Sequence, residues 1–178
     1  MGRKFKIHDS DKIYFVTFTV VEWIRAFDDE TSAQIFLDSI RYCQKHKGLE
    51  VYAWVIMPNH AHLVIGRNKE PSLSEIIRDL KGFTSRQVKK ELKNDQESLL
   101  YQIMMQTGID NSRNKYFQFW QQHNHPIQLD SDYLFNQKVE YIHNNPVVAN
   151  LATTPAEWKW SSAIDYDGGK GLLELTWS

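Results

Sequence analysis

The sequence predicts an α+β fold, a ferredoxin-like split βαβ with an antiparallel sheet and helices on one face. Three observations predict it. Residues 13–21 are β-branched and aromatic throughout, the composition of a buried strand. Apolar residues recur at helical period after Thr31, after Ser72 and after Ser131,. Between the first two helical stretches, Pro58-Asn59 divides one long apolar run in two, as a hairpin does.

The elements follow in order. After the first strand, Thr31 and Gln34 have the spacing of a capping box. Ala33, Phe36, Leu37, Ile40 and Cys43 form the stripe of the first helix, and Gly48 is a fitting stop,. Cys43 on that stripe is a small core residue. Residues 49–57 and 60–66 are the two strands of the hairpin. Ser72 and Glu75 repeat the capping-box spacing ahead of Leu73, Ile76, Ile77, Leu80 and Phe83, and this second helix fades near residue 92. Residues 94–115 are polar and poorly periodic and read as a loop with a short helical piece around 99–105. Residues 116–120 and 126–129 supply a fourth strand. Residues 131–144 form the last helix, which Pro146 stops. The rest carries Trp158, Trp160 and Trp177 around a Gly168-Gly169 turn.

Composition bounds the function. At 178 residues and 21.0 kDa the chain makes one domain over 1–178, with a core of about residues 4–150 and an acidic, Trp-containing C-terminal tail at 151–178. A hydrophobic fraction of 42% excludes a disordered chain. No apolar stretch is long enough for a membrane helix, and no apolar signal core follows the basic N-terminus. The single Cys excludes an internal disulfide,. The expectation is a soluble, cytoplasmic protein with no membrane partner. The formal net charge is −1, so the chain does not announce nucleic acid by charge alone. Charge is uneven, however: residues 67–93 hold eight basic and four acidic side chains, and residues 151–178 hold two and four.

Two features carry chemistry. His60 and His62 stand at i and i+2 on a strand, so both imidazoles leave one face, where they can chelate a divalent cation. Spacing alone is weak evidence, because seven histidines in this chain give roughly 0.3 such pairs by chance,. A second pair, His123 and His125, lies in a polar stretch before Pro126 and reads as exposed loop histidines. The other feature is Tyr141, off the Phe135–Val139–Ile142 stripe and on the side of Leu134 and Lys138. Asn145 follows on that side one turn later. Taken singly, these are polar residues on a hairpin and a Tyr packing at a core edge. Together they suggest phosphodiester chemistry. A cation held by the histidines polarises the phosphodiester, and the Tyr hydroxyl attacks phosphorus. A free Tyr has a pKa near ~10, so the hydroxyl needs help from the cation or from Lys138 in losing its proton.

Met57-Pro58-Asn59-His60-Ala61-His62 with Tyr141-Ile142-His143-Asn144-Asn145-Pro146-Val147 downstream resembles the small single-tyrosine "HUH" transposases, and more closely their REP-associated relatives. Tyr14-Phe15-Val16-Thr17, Phe119-Trp120-Gln121 and Trp160-Ser161-Ser162 extend the resemblance over residues 4–166. The resemblance implies a DNA strand transferase that cleaves and rejoins single-stranded DNA near hairpins. Tyr141 would be the nucleophile, keeping a 5′-phosphotyrosine and freeing a 3′-hydroxyl. His60 and His62 would hold Mg²⁺ or Mn²⁺. In the insertion-sequence branch a Gln four residues after the tyrosine completes the metal site; here Asn145, a shorter amide, takes that place. Lys81, Arg86, Lys89 and Lys90, with Arg3, Lys4 and Lys6, would contact phosphates, and Trp120 would stack on a base or close the core. Insertion-sequence relatives work as dimers that share active sites and REP-associated ones as monomers; the sequence does not decide between them, and a homodimer stays open. Two other readings stand beside it. One is a domesticated DNA-binding module that no longer cleaves. The other is an unrelated metallohydrolase using His60, His62 and a carboxylate, although no HExxH motif is present.

Overall fold

A computed structural model describes residues 7–93, 95–111 and 116–177. The elements are β1 (Tyr14–Thr19), α1 (Glu30–Lys47), β2 (Leu49–Met57), β3 (His60–Arg67), α2 (Leu73–Leu92), α3 (Leu99–Asp110), β4 (Ile127–Gln128) and α4 (Asp132–Val148). The sheet is antiparallel in the order β2-β3-β1-β4. This is the strand order of the split βαβ, so the α+β, ferredoxin-like expectation holds.

The helices divide between the faces. Val16, Phe18, Trp54, Ile56, Leu63 and Ile65 point to one side and pack with Phe36, Leu37 and Ile40 of α1 and Leu73, Ile76 and Leu80 of α2. Phe15, Ala53, Val55, Met57 and Val64 point to the other and pack with Val139 and Ile142 of α4. The expectation of helices on one face is thus met by α1 and α2 and corrected for α4. The physical reason lies in the strands: they are apolar at successive positions rather than alternating, so both faces need cover.

Three local expectations also change. The N-cap of α1 is Asp29, whose carboxylate accepts from the Thr31 and Ser32 amides at 3.2 and 3.1 Å; the spacing of Thr31 and Gln34 is not used as a cap. α3 is a full twelve-residue helix. Ser98 caps it by accepting from the Tyr101 amide, and Gly108 lets the backbone of Phe117 approach where a Cβ would lie 2.1 Å from its nitrogen. α4 runs through Pro146 to Val148. Its last turn lacks one amide donor there, a loss the packing of α4 on the sheet outweighs.

The fourth strand is only Ile127–Gln128, joined by an isolated bridge between Val20 and Trp120. On the opposite edge the C-terminal segment runs beside β2. The Ile56 amide donates to Trp160 O at 2.8 Å, the Ser162 amide to Trp54 O at 3.0 Å and the Thr176 amide to Val51 O at 2.7 Å. Among the described residues no helix is long and apolar enough to cross a membrane.

Candidate active site

The site forms where β3, β1 and α4 meet. The turn Pro58-Asn59 is pinned from outside the hairpin, because its two carbonyls accept from the amides of Phe27 and Val20 at 2.9 and 3.0 Å. The first residue after it is His60, and in register His60 and His62 face Thr19 and Thr17 of β1. The two imidazole centroids are 4.7 Å apart, on the face covered by α4.

Each ring is oriented through Nδ1. His60 Nδ1–H donates to Asn59 Oδ1 at 2.7 Å. An amide oxygen only accepts, so in the neutral ring the free lone pair is on Nε2. His62 Nδ1 shares a 2.9 Å hydrogen bond with Thr17 Oγ1, and with Nδ1–H as the donor its Nε2 is likewise free. This is the outer-shell arrangement that ligating histidines use. Burial lowers the pKa of His60. Burial, then the neighbouring His60 and Lys138 charges, lowers that of His62 to about 3. Both rings are therefore neutral near pH 7, the form that binds a cation.

Val139 and Ile142 dock α4 and turn Tyr141, half exposed, toward the imidazoles. Its ring lies 5.3 Å from His62 and 5.9 Å from Phe15, which itself stacks on His62 at 5.1 Å. Lys138 Nζ sits 5.0 Å from the Phe15 ring and 5.6 Å from the Tyr141 ring. Asn145 is half-buried, one turn beyond Tyr141. Among the described residues no cluster of three or more His, Cys, Asp or Glu side chains forms. The donor set these contacts bring together is two imidazoles and a phenol, which fits a cation finished by phosphate oxygens and water.

The other expected residues lie elsewhere. α2 covers the opposite face of the sheet, so Lys81, Arg86, Lys89 and Lys90 do not line this site. Lys81 Nζ is turned inward, donating to Gln121 O at 2.7 Å and Asn124 Oδ1 at 2.8 Å, and burial lowers its pKa to about 8. Lys89 Nζ lies 5.3 Å from the Phe117 ring, while Arg86 and Lys90 are exposed. Trp120 is 4% exposed and packs against Phe18, Phe27, Phe36 and Phe119. It closes the core and offers no face to a base. His123 and His125 sit 6.2 Å apart in a segment with no regular strand. Arg3, Lys4 and Lys6 lie outside the described residues.

Residues 11–108 match the family described as Transposase IS200 like. The chain belongs to that family. Its fold is similar to a solved REP-associated tyrosine transposase bound to a REP hairpin. The TM-score is 0.69 at 17% identity, over 100% of this chain and 92% of that one. A protein of Deinococcus radiodurans R1, provisionally described as a transposase, matches at 18% identity and TM-score 0.48, over 80% of this chain and 97% of its own. Among curated proteins there is no sequence match.

The single-tyrosine transposase resemblance thus holds in family, and the REP-associated likeness holds in fold. Thr17, Asn59 and Phe15 are the site residues that sequence reasoning did not single out. The polar residue before His60 was a visible signal for Asn59; Thr17 needed the β1–β3 register. His143, inside the tyrosine segment, is structural: its Nε2 shares a 2.9 Å bond with Ser162 Oγ, which also accepts from the Trp54 amide.

Proposed function

We propose that this IS200-like transposase cleaves and rejoins single-stranded DNA beside hairpins, with Tyr141 as nucleophile. The observation that carries this reading is the contact of the Tyr141 ring with the His62 imidazole, itself 4.7 Å from that of His60, on one sheet face and within one chain. The solved REP-associated relative holds a REP hairpin, which supports a hairpin-flanked strand as substrate. When bound by His60 Nε2 and His62 Nε2, with the Asn145 amide oxygen as third ligand, Mg²⁺ or Mn²⁺ supplies polarisation of the scissile phosphodiester.

The chain's own residues do the rest. Tyr141, half exposed, gives its phenolic proton to solvent water and its oxygen forms a bond to phosphorus. The bond from phosphorus to the 3′-oxygen breaks, and that oxygen takes up a proton. The Lys138 ammonium beside the ring stabilises the developing phenolate. Phe15 and the docking of α4 hold the ring in place. Rejoining is the reverse attack by a 3′-hydroxyl, and the phosphotyrosine bond keeps the diester energy, so no nucleotide cofactor is required. Because nucleophile and imidazoles come from the same chain, a homodimer is not needed to complete the site. Arg86, Lys89 and Lys90, on the far side, are left for DNA outside the cut, such as a hairpin stem.

The test is adduct formation. Wild-type protein with Mn²⁺ and a hairpin-flanked single strand gives a covalent protein–DNA species on a denaturing gel. Tyr141→Phe gives none and binds the same DNA with nearly unchanged affinity. An adduct from Tyr141→Phe would assign another nucleophile. No adduct from wild type, with binding retained, would leave a non-cleaving DNA-binding module.

A further inference from the structure

The segment after β1 contains the least comfortable backbone near the site. Glu22 and Trp23 have φ of 50° and 55°, two consecutive side-chain-bearing residues in the left-handed region. There the Cβ crowds the following carbonyl oxygen, and a bulky residue is a genuine outlier. The surroundings over-determine it. The Val21 amide donates to Phe119 O at 3.0 Å, the Trp23 amide to Val20 O at 3.2 Å and the Ile24 amide to Val21 O at 3.1 Å. Val20, Val21, Ala26 and Phe27 around it are all buried, yet Trp23 itself is 58% exposed. Core packing therefore does not account for this Trp, since the strain is spent on holding an indole in water. Strain retained in this way concentrates where a ligand is gripped.

Its position gives it a task. The Trp23 ring lies 6.1 Å from the His60 ring. Among the described exposed aromatics, only Trp23 and Tyr141 make ring contacts with the imidazole pair. The rings run in the order Trp23, His60, His62, Tyr141, with steps of 6.1, 4.7 and 5.3 Å. Trp23 and Tyr141 thus contact different imidazoles, Trp23 that of His60 and Tyr141 that of His62. In an in-line displacement the entering and leaving oxygens sit on opposite sides of phosphorus. With the phenol entering at the His62 end, the leaving 3′-oxygen and its nucleoside run toward the His60 end.

We propose that Trp23 is the stacking platform for the base immediately 5′ of the cut, the nucleotide that departs with the 3′-hydroxyl. This rests on the cleavage reading above. The platform acts as a positioning residue. It holds the departing nucleoside in line with Tyr141 and keeps the freed 3′-hydroxyl close for rejoining. An indole accepts any base by its π-face, so the contact fixes geometry without demanding a sequence. It also gives strand affinity that does not depend on positive charge, in a chain of net charge −1.

The experiment pairs protein and DNA changes. Trp23→Ala and Trp23→Phe are made in the wild type for adduct rates and in Tyr141→Phe for affinity without cleavage. Each is measured on an intact hairpin-flanked strand and on strands with an abasic site immediately 5′ or immediately 3′ of the cut. On intact DNA, Trp23→Ala binds and reacts about 5- to 150-fold less well, the range for loss of one stacked base, and Trp23→Phe recovers most of it. On the 5′-abasic strand the penalty of Trp23→Ala disappears; on the 3′-abasic strand it persists. A penalty of the same size on all three strands, or one under twofold on intact DNA, overturns the proposal. A wild-type protein that forms no adduct overturns the cleavage reading instead, and an abasic scan in the binding assay still shows whether any single base depends on Trp23.

Discussion

Replacing Thr17 with Val keeps the shape of the side chain and removes the hydroxyl that holds His62. The bond in question is 2.9 Å long and its imidazole is 6% exposed, so water does not readily replace the lost partner. Leaving one buried polar group unpaired costs about 1–3 kcal/mol. Loss of an outer-shell partner of a ligating histidine lowers metal affinity about 10- to 100-fold, which corresponds to about 1.4–2.8 kcal/mol. The first figure is a loss of folding stability and the second a loss of metal affinity. Calorimetric titration with Mn²⁺ on wild type, Thr17→Val and Thr17→Ser reads it directly. The Val variant is expected to weaken Mn²⁺ by one to two decades and to lose a similar factor in adduct rate at fixed metal. The Ser variant keeps a hydroxyl and most of the affinity. If Thr17→Val binds Mn²⁺ as wild type does, the Nδ1 bond does not set the ring for coordination, and the argument that both Nε2 atoms are prepared as ligands fails.

Other outcomes follow from the same packing. Ile142→Ala, at a site with no solvent exposure, is expected to lower unfolding free energy by about 2–5 kcal/mol, read by denaturant titration; a loss below about 1 kcal/mol would mean α4 is held elsewhere. Cys43 is 2% exposed and burial pushes its thiol up to about 11, so alkylation at pH 8 is expected only after denaturation, and rapid native modification would contradict that. Lys81 has its pKa lowered from 10.5 to about 8 by burial. Between those values the unfolded chain holds more protons than the folded one, so stability rises with pH across that window by up to about 1.4 kcal/mol per unit. Relative to Lys81→Met, wild type should gain stability from pH 8 to pH 10; a constant difference would show that Lys81 keeps its ordinary pKa when folded.

Much of this molecule was legible in its residues. The order of elements along the chain followed from the first strand's composition, three helical stripes and one Pro-Asn break. The i, i+2 imidazoles and the off-stripe phenol are consequences of strand and helix periodicity, which tertiary contacts did not override. What was missed depended on context outside each element. The second helical layer was implicit in strands apolar at successive positions, but periodicity within a strand does not say what covers it. α3 lacked a sequence stripe because only Met104 and Gly108 among its residues are buried. Pro146 reads as a stop, and only the packing of Ile142 and Val139 shows why α4 passes it. Lys81 and Trp120 were candidates by residue type; their burial is a long-range property that no local spacing carries. Thr17 came beside His62 only once the hairpin and β1 were in register.

The C-terminal segment bears on how copies of this protein meet. An outer strand with free amides and carbonyls invites another strand to dock, in a neighbour or in a growing fibre. Here Val51, Trp54 and Ile56 already have main-chain partners from Thr176, Ser162 and Trp160, and at the far border β4 offers only two residues. These contacts occupy much of one border and leave only a two-residue strand at the other, which disfavours continuous sheet growth from molecule to molecule,. Trimming the chain before Trp158 would uncover the most apolar strand of the protein along its length, and self-association, rather than a change in chemistry, would be the first thing seen.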